Sequence, residues 1–286
     1  MKVLLNYSNE KYRKSQKFNT KTGYNIGGFD KVYEFSPEDI DLEFLQETKS
    51  ILNYKRGNGL WLWKPYFIMK TLHLLNDNDI LFYCDSGAYF VNSIDYLVDI
   101  MNKEKQSIIA FELPLLERQF TKKETFIGLK ESEYNNNQIL ASYIMFKKNL
   151  FTVNFVSQWL YYCKQEELIS PLIFNPNIVN FNDFVAHRED QSIFSILYNK
   201  TKFQKFRDIS QYGDRPFEYK WVKKNNKLKE WDFNPKIYSN SPYPRIVNLT
   251  RGVNLFNFKV KELIKTILNK LNIYNEKTFN KIHSIN

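Results

Sequence analysis

The chain has 286 residues, 43% of them hydrophobic and 17% aromatic, with nine glycines and nine prolines. That is enough to bury a full core, and it excludes a disordered, fibrous or low-complexity chain. The net charge of +10 favours anionic partners (nucleic acid, anionic lipid or phosphorylated substrates) without choosing among them.

In chain order, Lys2 to Asn6 reads as a first strand, too short for the apolar region of a signal peptide, followed by the polar loop Asn6-Tyr7-Ser8. Lys11 to Asn25 is polar and basic and is expected to be a mobile excursion. Lys31 to Phe35 is a second strand candidate. Ser36-Pro37-Glu38-Asp39 carries helix-start signals, with a helix expected through Asp41 to Leu52. A glycine-bearing basic turn follows, Arg56-Gly57-Asn58-Gly59. Trp61 and Trp63 then alternate as in a strand, and Pro65 opens a helix. Asp79 to Asp85 has the apolar run of a buried parallel strand, delivering a carboxylate and Gly87 into a loop.

Further helices are expected at Ile94–Met101, Val153–Cys163 and Asp190–Tyr198, and further strands at Ser107–Phe111 and Ile139–Lys147. The alternation over residues 1–200 argues for an α/β sheet. Residues 201–286 are irregular and then helical, and are expected to pack on the same domain. From Phe258 to Ile285 the apolar residues Val260, Leu263, Ile264, Ile267, Leu268 and Leu271 recur at helical spacing among lysines. Such a helix either packs its stripe on the domain, which is favoured, or lies on an anionic membrane.

No run of about 18 apolar residues occurs, so no transmembrane helix is expected. Cys84 and Cys163 have no metal-like spacing, and a reducing, cytoplasmic setting is the simpler expectation. The sequon Asn248-Leu249-Thr250 reads as chance.

Asp85 is the sharpest chemical candidate. A carboxylate at a strand's carboxyl end can hold a divalent ion or simply cap the next turn. His187 precedes Arg188-Glu189-Asp190-Gln191 and is a second metal-ligand candidate. Arg56 and Lys64 flank the glycine turn and suit phosphate binding. Asp190 caps a helix or faces a sugar. Asp214 and Arg215 read as a plain surface turn more readily than as acceptor contacts.

The run Arg56-Gly57-Asn58-Gly59, Trp61-Leu62-Trp63-Lys64-Pro65 and Asp85-Ser86-Gly87, with Gln138 to Ser142 and His187-Arg188-Glu189-Asp190-Gln191-Ser192, resembles a bacterial and viral polysaccharide-type group of nucleotide-sugar glycosyltransferases. More distantly, the order of parts is similar to retaining GT-A enzymes. The resemblance implies a GT-A (Rossmann-like) fold: a mixed, mostly parallel sheet flanked by helices, with an irregular and helical C-terminal extension. It implies transfer of a hexose-type sugar from a nucleotide-diphosphate donor, UDP being the expected nucleotide, to a glycan or glycolipid. By that likeness Asp85, with His187, would hold Mn²⁺ or Mg²⁺. Asn6, Tyr7, Ser8, Arg56, Lys64, Asp85, Ser86, Gly87, Ala141 and Ser142 would bind the donor. Asp190 and Gln191 would sit against its reacting face, and the loops within Glu117–Asn137 and Phe203–Arg251 would set specificity. The family's Asp-x-Asp is reduced here, with Tyr83 in the first place. That departure keeps open a catalytically inactive nucleotide- or sugar-binding module. A nucleic-acid-binding protein is the lesser alternative, since the aromatics lie inside apolar runs and no nucleic-acid partner is expected.

Overall fold

The computed structural model describes residues 1–222, 232–250 and 255–284; Arg251 and Ile285 lie outside the described residues. Its centre is a five-stranded sheet in the order β2 (Lys31–Phe35), β1 (Lys2–Tyr7), β3 (Ile80–Cys84), β8 (Tyr143–Lys147), β5 (Ile108–Ile109). Strands β1, β2 and β3 are parallel, and β8 runs against both β3 and β5. Four strands therefore point one way, which gives the mixed, mostly parallel α/β sheet expected from the sequence.

Side-chain alternation assigns the two faces. Val3, Leu5, Leu81, Tyr83, Ile144 and Phe146 enter one core, while Leu4, Phe82, Cys84, Tyr143 and Met145 enter the other. Both faces are covered, so the strands read as continuous apolar runs. The first core packs against α2 (Trp63–His73), α4 (Leu150–Cys163) and α5 (Glu189–Asn199); the second includes Leu97, Ile100 and Met101 of α3 (Asp95–Lys103). Two short sheets extend the centre: β7 (Asn137–Ile139), β6 (Phe111–Leu116) and β9 (Phe206–Arg207), and the pair β4 (Ala88–Phe90) with β10 (Val247–Leu249). Strands from the last third of the chain thus pair with strands from the first part.

Several local expectations are corrected. The segment Lys11 to Asn25 is no mobile excursion: it contains α1 (Arg13–Thr22), whose buried face is polar. Gln16 accepts from Ser8 Oγ at 2.8 Å and donates to Phe35 O at 2.8 Å, and Asn19 donates to Ala88 O at 3.0 Å. These bonds satisfy strand ends that an apolar helix could not. The Asp41–Leu52 helix is broken at Thr48, whose Oγ1 donates back to Phe44 O at 2.7 Å.

Trp61 and Trp63 do not alternate in a strand. Gly57, Asn58, Gly59, Leu60 and Trp61 form a left-handed turn with φ of 60°, 53°, 95°, 54° and 60°, and α2 begins at Trp63. A Cβ on Gly57 would lie 2.2 Å from the Trp61 ring, and one on Gly59 would lie 2.9 Å from Leu52 Cα. Asn58, Leu60 and Trp61 carry side chains in this region at a cost of about 1–3 kcal/mol each, strain of the kind concentrated at functional sites.

The C-terminal helix is two helices, α6 (Leu255–Lys270) and α7 (Glu276–Ser284), divided where Asn272 takes φ 56°. The favoured packing of its apolar stripe is reversed. Glu262 and Lys265 are the buried residues of α6, while Val260, Leu263, Ile264, Ile267 and Leu271 are exposed. The inward face is a network of charges. Arg215 Nη2 donates to both Glu262 carboxylate oxygens at 2.8 and 2.7 Å, Arg245 Nη1 donates to Glu262 at 3.0 Å, and Lys265 donates to Glu218 at 3.2 Å. Arg215 is therefore an internal counter-ion and not a surface-turn residue, and Asp214 is paired with Arg207 and Arg245.

Candidate functional site

Parallel strands β1 and β3 end side by side, and antiparallel β8 begins at the same edge, with Cys84 opposite Tyr143. Ligands collect at such carboxyl ends in α/β sheets. A cavity of about 550 Å³ opens there. Its walls are Tyr7 and Ser8 from the end of β1, Asp85-Ser86-Gly87 after β3, Ser142 before β8, and the left-handed turn with Trp61 and Trp63. Lys11, Tyr12 and Lys55 complete the rim.

The aromatic wall is tied in place. Tyr7 stacks on Trp63 with ring centroids 3.7 Å apart. Trp63 Nε1 donates to Gly57 O at 2.9 Å, and Asn58 Nδ2 donates to the Tyr7 hydroxyl. The turn, the β1 end and the α2 start therefore form one unit, held by the turn's carbonyl and amide. Ser86 Oγ donates to Tyr7 O at 2.5 Å, joining the two strand ends.

Asp85 is partly exposed toward this cavity. Its backbone N–H donates to Ser142 O at 2.8 Å. The Tyr83 hydroxyl donates to Asp85 Oδ1, and the Lys64 ammonium lies 3.9 Å from the same oxygen. The buried Tyr83 phenol thus supports the Asp85 carboxylate from within the strand.

Lys64 and Asp190 lie behind the cavity wall and do not line it. Both are buried, with Lys64 Nζ 2.8 Å from Asp190 Oδ2 and 3.1 Å from Ala141 O. Burial works against the Lys64 charge, but Asp190 and Asp85 outweigh it and the lysine stays protonated. Burial pushes the Asp190 carboxyl up to about 7 against the pull of Lys64. Gln191 accepts from Ala141 N at 3.3 Å and donates to Gln138 at 3.0 Å. Asp190 and Gln191 do not line this cavity; Gln191 bonds Ala141 and Gln138, and Asp190 holds the Lys64 ammonium.

Arg56, more than half exposed, pairs with the buried Glu189 carboxylate at 2.5 and 3.3 Å, while Lys64 is buried against Asp190. Asn6 is wholly buried and bonds Asn19 and Thr20. His187 does not join Asp85 as a metal ligand. Its Nε2 contacts Leu168 O at 3.0 Å, its Nδ1 accepts from Lys122 N at 3.3 Å, and burial lowers its pKa to about 3. It is a neutral core imidazole with both nitrogens in use.

Among the described residues no group of three or more His, Cys, Asp or Glu side chains could hold a metal ion. Among the described residues Asp85 is the single carboxylate on the cavity wall, and an ammonium sits beside it. That donor set does not fit a preformed Mn²⁺ or Mg²⁺ centre, which takes about six oxygen ligands.

Sequence reasoning missed Lys11, Tyr12 and Lys55. Among the described residues neither lysine is ion-paired, and Lys11 lies 5.3 Å from the Tyr12 ring. Their signal was positional: each stands in a segment leading into or out of a motif already recognised.

No family model and no curated protein matches the chain. Solved structures do. A structure described as galactosyltransferase LgtC in complex with donor and acceptor sugar analogs is 12% identical over 88% of each chain, with a TM-score of 0.49. Mouse xyloside xylosyltransferase 1 is 8% identical over 87% of this chain and 97% of its own, with a TM-score of 0.47. Likeness at this level assigns neither an activity nor a residue's role to this chain. No helix among the described residues is long and apolar enough to cross a membrane.

Proposed function

We propose that this protein is a GT-A type glycosyltransferase that moves a hexose-type sugar from a nucleotide-diphosphate donor, UDP being the expected nucleotide, to a glycan or glycolipid acceptor. The observation that carries this reading is the cavity at the carboxyl ends of β1 and β3. It combines an aromatic wall, two exposed lysines and one carboxylate beside a buried ammonium. Aromatic faces suit a base or sugar ring, and Lys11 and Lys55 suit a diphosphate. Asp85, Ser86, Gly87 and Ser142 then lie toward the sugar.

In the reaction the acceptor oxygen bonds to the anomeric carbon as that carbon's bond to the diphosphate oxygen breaks. The Asp190 carboxylate is buried and paired, so it is not placed to take the acceptor proton. That favours the retaining course, in which the departing phosphate oxygen takes it. Asp190 acts as a positioning residue that fixes Lys64. No step is assigned to Mn²⁺ or Mg²⁺.

The test is nucleotide release from UDP-, GDP-, CMP- and dTDP-sugars, with and without Mn²⁺. One donor is expected to be hydrolysed slowly, and Asp85→Asn to abolish that release while leaving the fold intact. Release unchanged in Asp85→Asn contradicts the site. Donor-induced thermal stabilisation without release, with or without acceptor, identifies a binding module. The absence of both release and donor-induced stabilisation overturns the proposal.

A further inference from the structure

Helix α6 is amphipathic with its polar side inward. Phe256, Val260, Leu263, Ile264, Ile267 and Leu271 are exposed, with Phe256 at 74%, Leu263 at 62% and Leu271 at 61%. At about 100° per residue these six fall within one sector roughly 100° wide. Glu262 and Lys265, on the opposite side, are only 7% and 6% exposed and are held by the Arg215 and Glu218 network. The ion pairs therefore fix the helix with its apolar stripe turned to solvent. A contiguous exposed stripe of this kind marks an interaction surface.

The charges on its borders choose the occupant. On the helical wheel Lys259 and Lys270 flank the stripe on one side and Lys261 flanks it on the other. Residues 255–284 contain six lysines and two glutamates, and one of those, Glu262, is spent inside. A second copy laid on this face would bring lysine borders against lysine borders without carboxylates to meet them. An anionic lipid surface answers both features, since the stripe enters the acyl boundary while the flanking ammonium groups stay at the phosphates.

We infer that α6 lies in the plane of an anionic membrane surface and docks the protein there through its outward stripe. This does not rest on the transferase reading, because its observations lie outside the cavity.

The experiment is flotation of the full chain with phosphatidylcholine vesicles with and without phosphatidylglycerol. Binding is expected to the anionic vesicles and to weaken as salt rises. Leu263→Asp with Ile267→Asp is expected to reduce it at least about tenfold. Lys259→Gln, Lys261→Gln and Lys270→Gln together are expected to reduce it about tenfold or more. Four of these five positions are exposed and Lys261 is half-buried, so an unchanged thermal midpoint checks that each variant is folded. Three results overturn the inference: no wild-type binding to anionic vesicles, equal binding by the double aspartate variant, or a wild-type dimer that this variant makes monomeric. The last would give the face to a second copy.

Discussion

The central sheet and the C-terminal helical layer solve the burial problem in opposite ways. Around the sheet, Leu81, Phe82 and Ile144 are wholly buried. In the C-terminal layer, Arg215, Glu218, Glu262 and Lys265 are buried, while Leu263, Ile264 and Ile267 of α6 face solvent. The difference shows that helical periodicity identifies a stripe without saying which side of the helix meets the protein. What decides is the partner surface. Glu218 and Arg215 present charge where an apolar wall would have drawn the stripe inward.

The largest expected effect breaks the C-terminal side of this comparison. Arg215→Met leaves Glu218 and Glu262 buried with less compensation and should cost about 3–5 kcal/mol in denaturant unfolding. Adding Glu218→Gln and Glu262→Gln should recover much of that loss. Equal stability of Arg215→Met and wild type would show that the layer is not held by its ions.

The next prediction contrasts two buried carboxyls within the central region. Asp190 has a cation, whereas among the described residues the side-chain donors to Glu117 are neutral: Ser195, Thr121 at 2.9 Å, Asn199 at 3.2 Å and Gln138 at 3.5 Å. Burial raises Glu117 to about 7. The folded protein then holds a proton that the unfolded chain releases near 4.5, so this contribution to stability is present at low pH and is lost as pH rises through 7. Between pH 5 and 8 the wild type should lose about 2.5 kcal/mol relative to Glu117→Gln. Parallel pH profiles of the two proteins would contradict this.

For Asp190→Asn the expectation is a turnover drop of about 100-fold with little change in donor affinity. Wild-type turnover should also show an acidic limb with a midpoint near the carboxyl's pKa of about 7. The variant should lack that limb. A purely packing role would lower both activities without changing the shape of the profile.

How much of this was legible follows from the kind of signal each part carries. The strands were readable because runs such as Ile80 to Cys84 are buried on both faces. The strand-end motif around Asp85 was readable for the same reason. Helix α1 was not, because Gln16, Asn19 and Thr22 form its buried face and mimic a loop in composition. The Lys64–Asp190 pair joins residues 126 positions apart, and nothing local marks either as buried. His187 looked like a ligand because sequence does not reveal that backbone groups occupy both ring nitrogens.

The smallest expected effect sharpens the comparison most. Leu81 and Leu263 are the same residue type, one wholly buried and the other 62% exposed. Leu81→Ala removes atoms from a filled core and should cost about 2–5 kcal/mol. Leu263→Ser removes a side chain that is largely solvated already, so the unfolded state gains little advantage and the change should stay within about 0.5 kcal/mol. The measurement is the denaturant midpoint of each variant without lipid. A cost of about 2 kcal/mol at Leu263 would mean that the stripe is covered in solution, by this chain or by another copy. Neutrality in water together with the membrane loss expected for the double aspartate variant would assign the stripe's burial to the lipid surface alone.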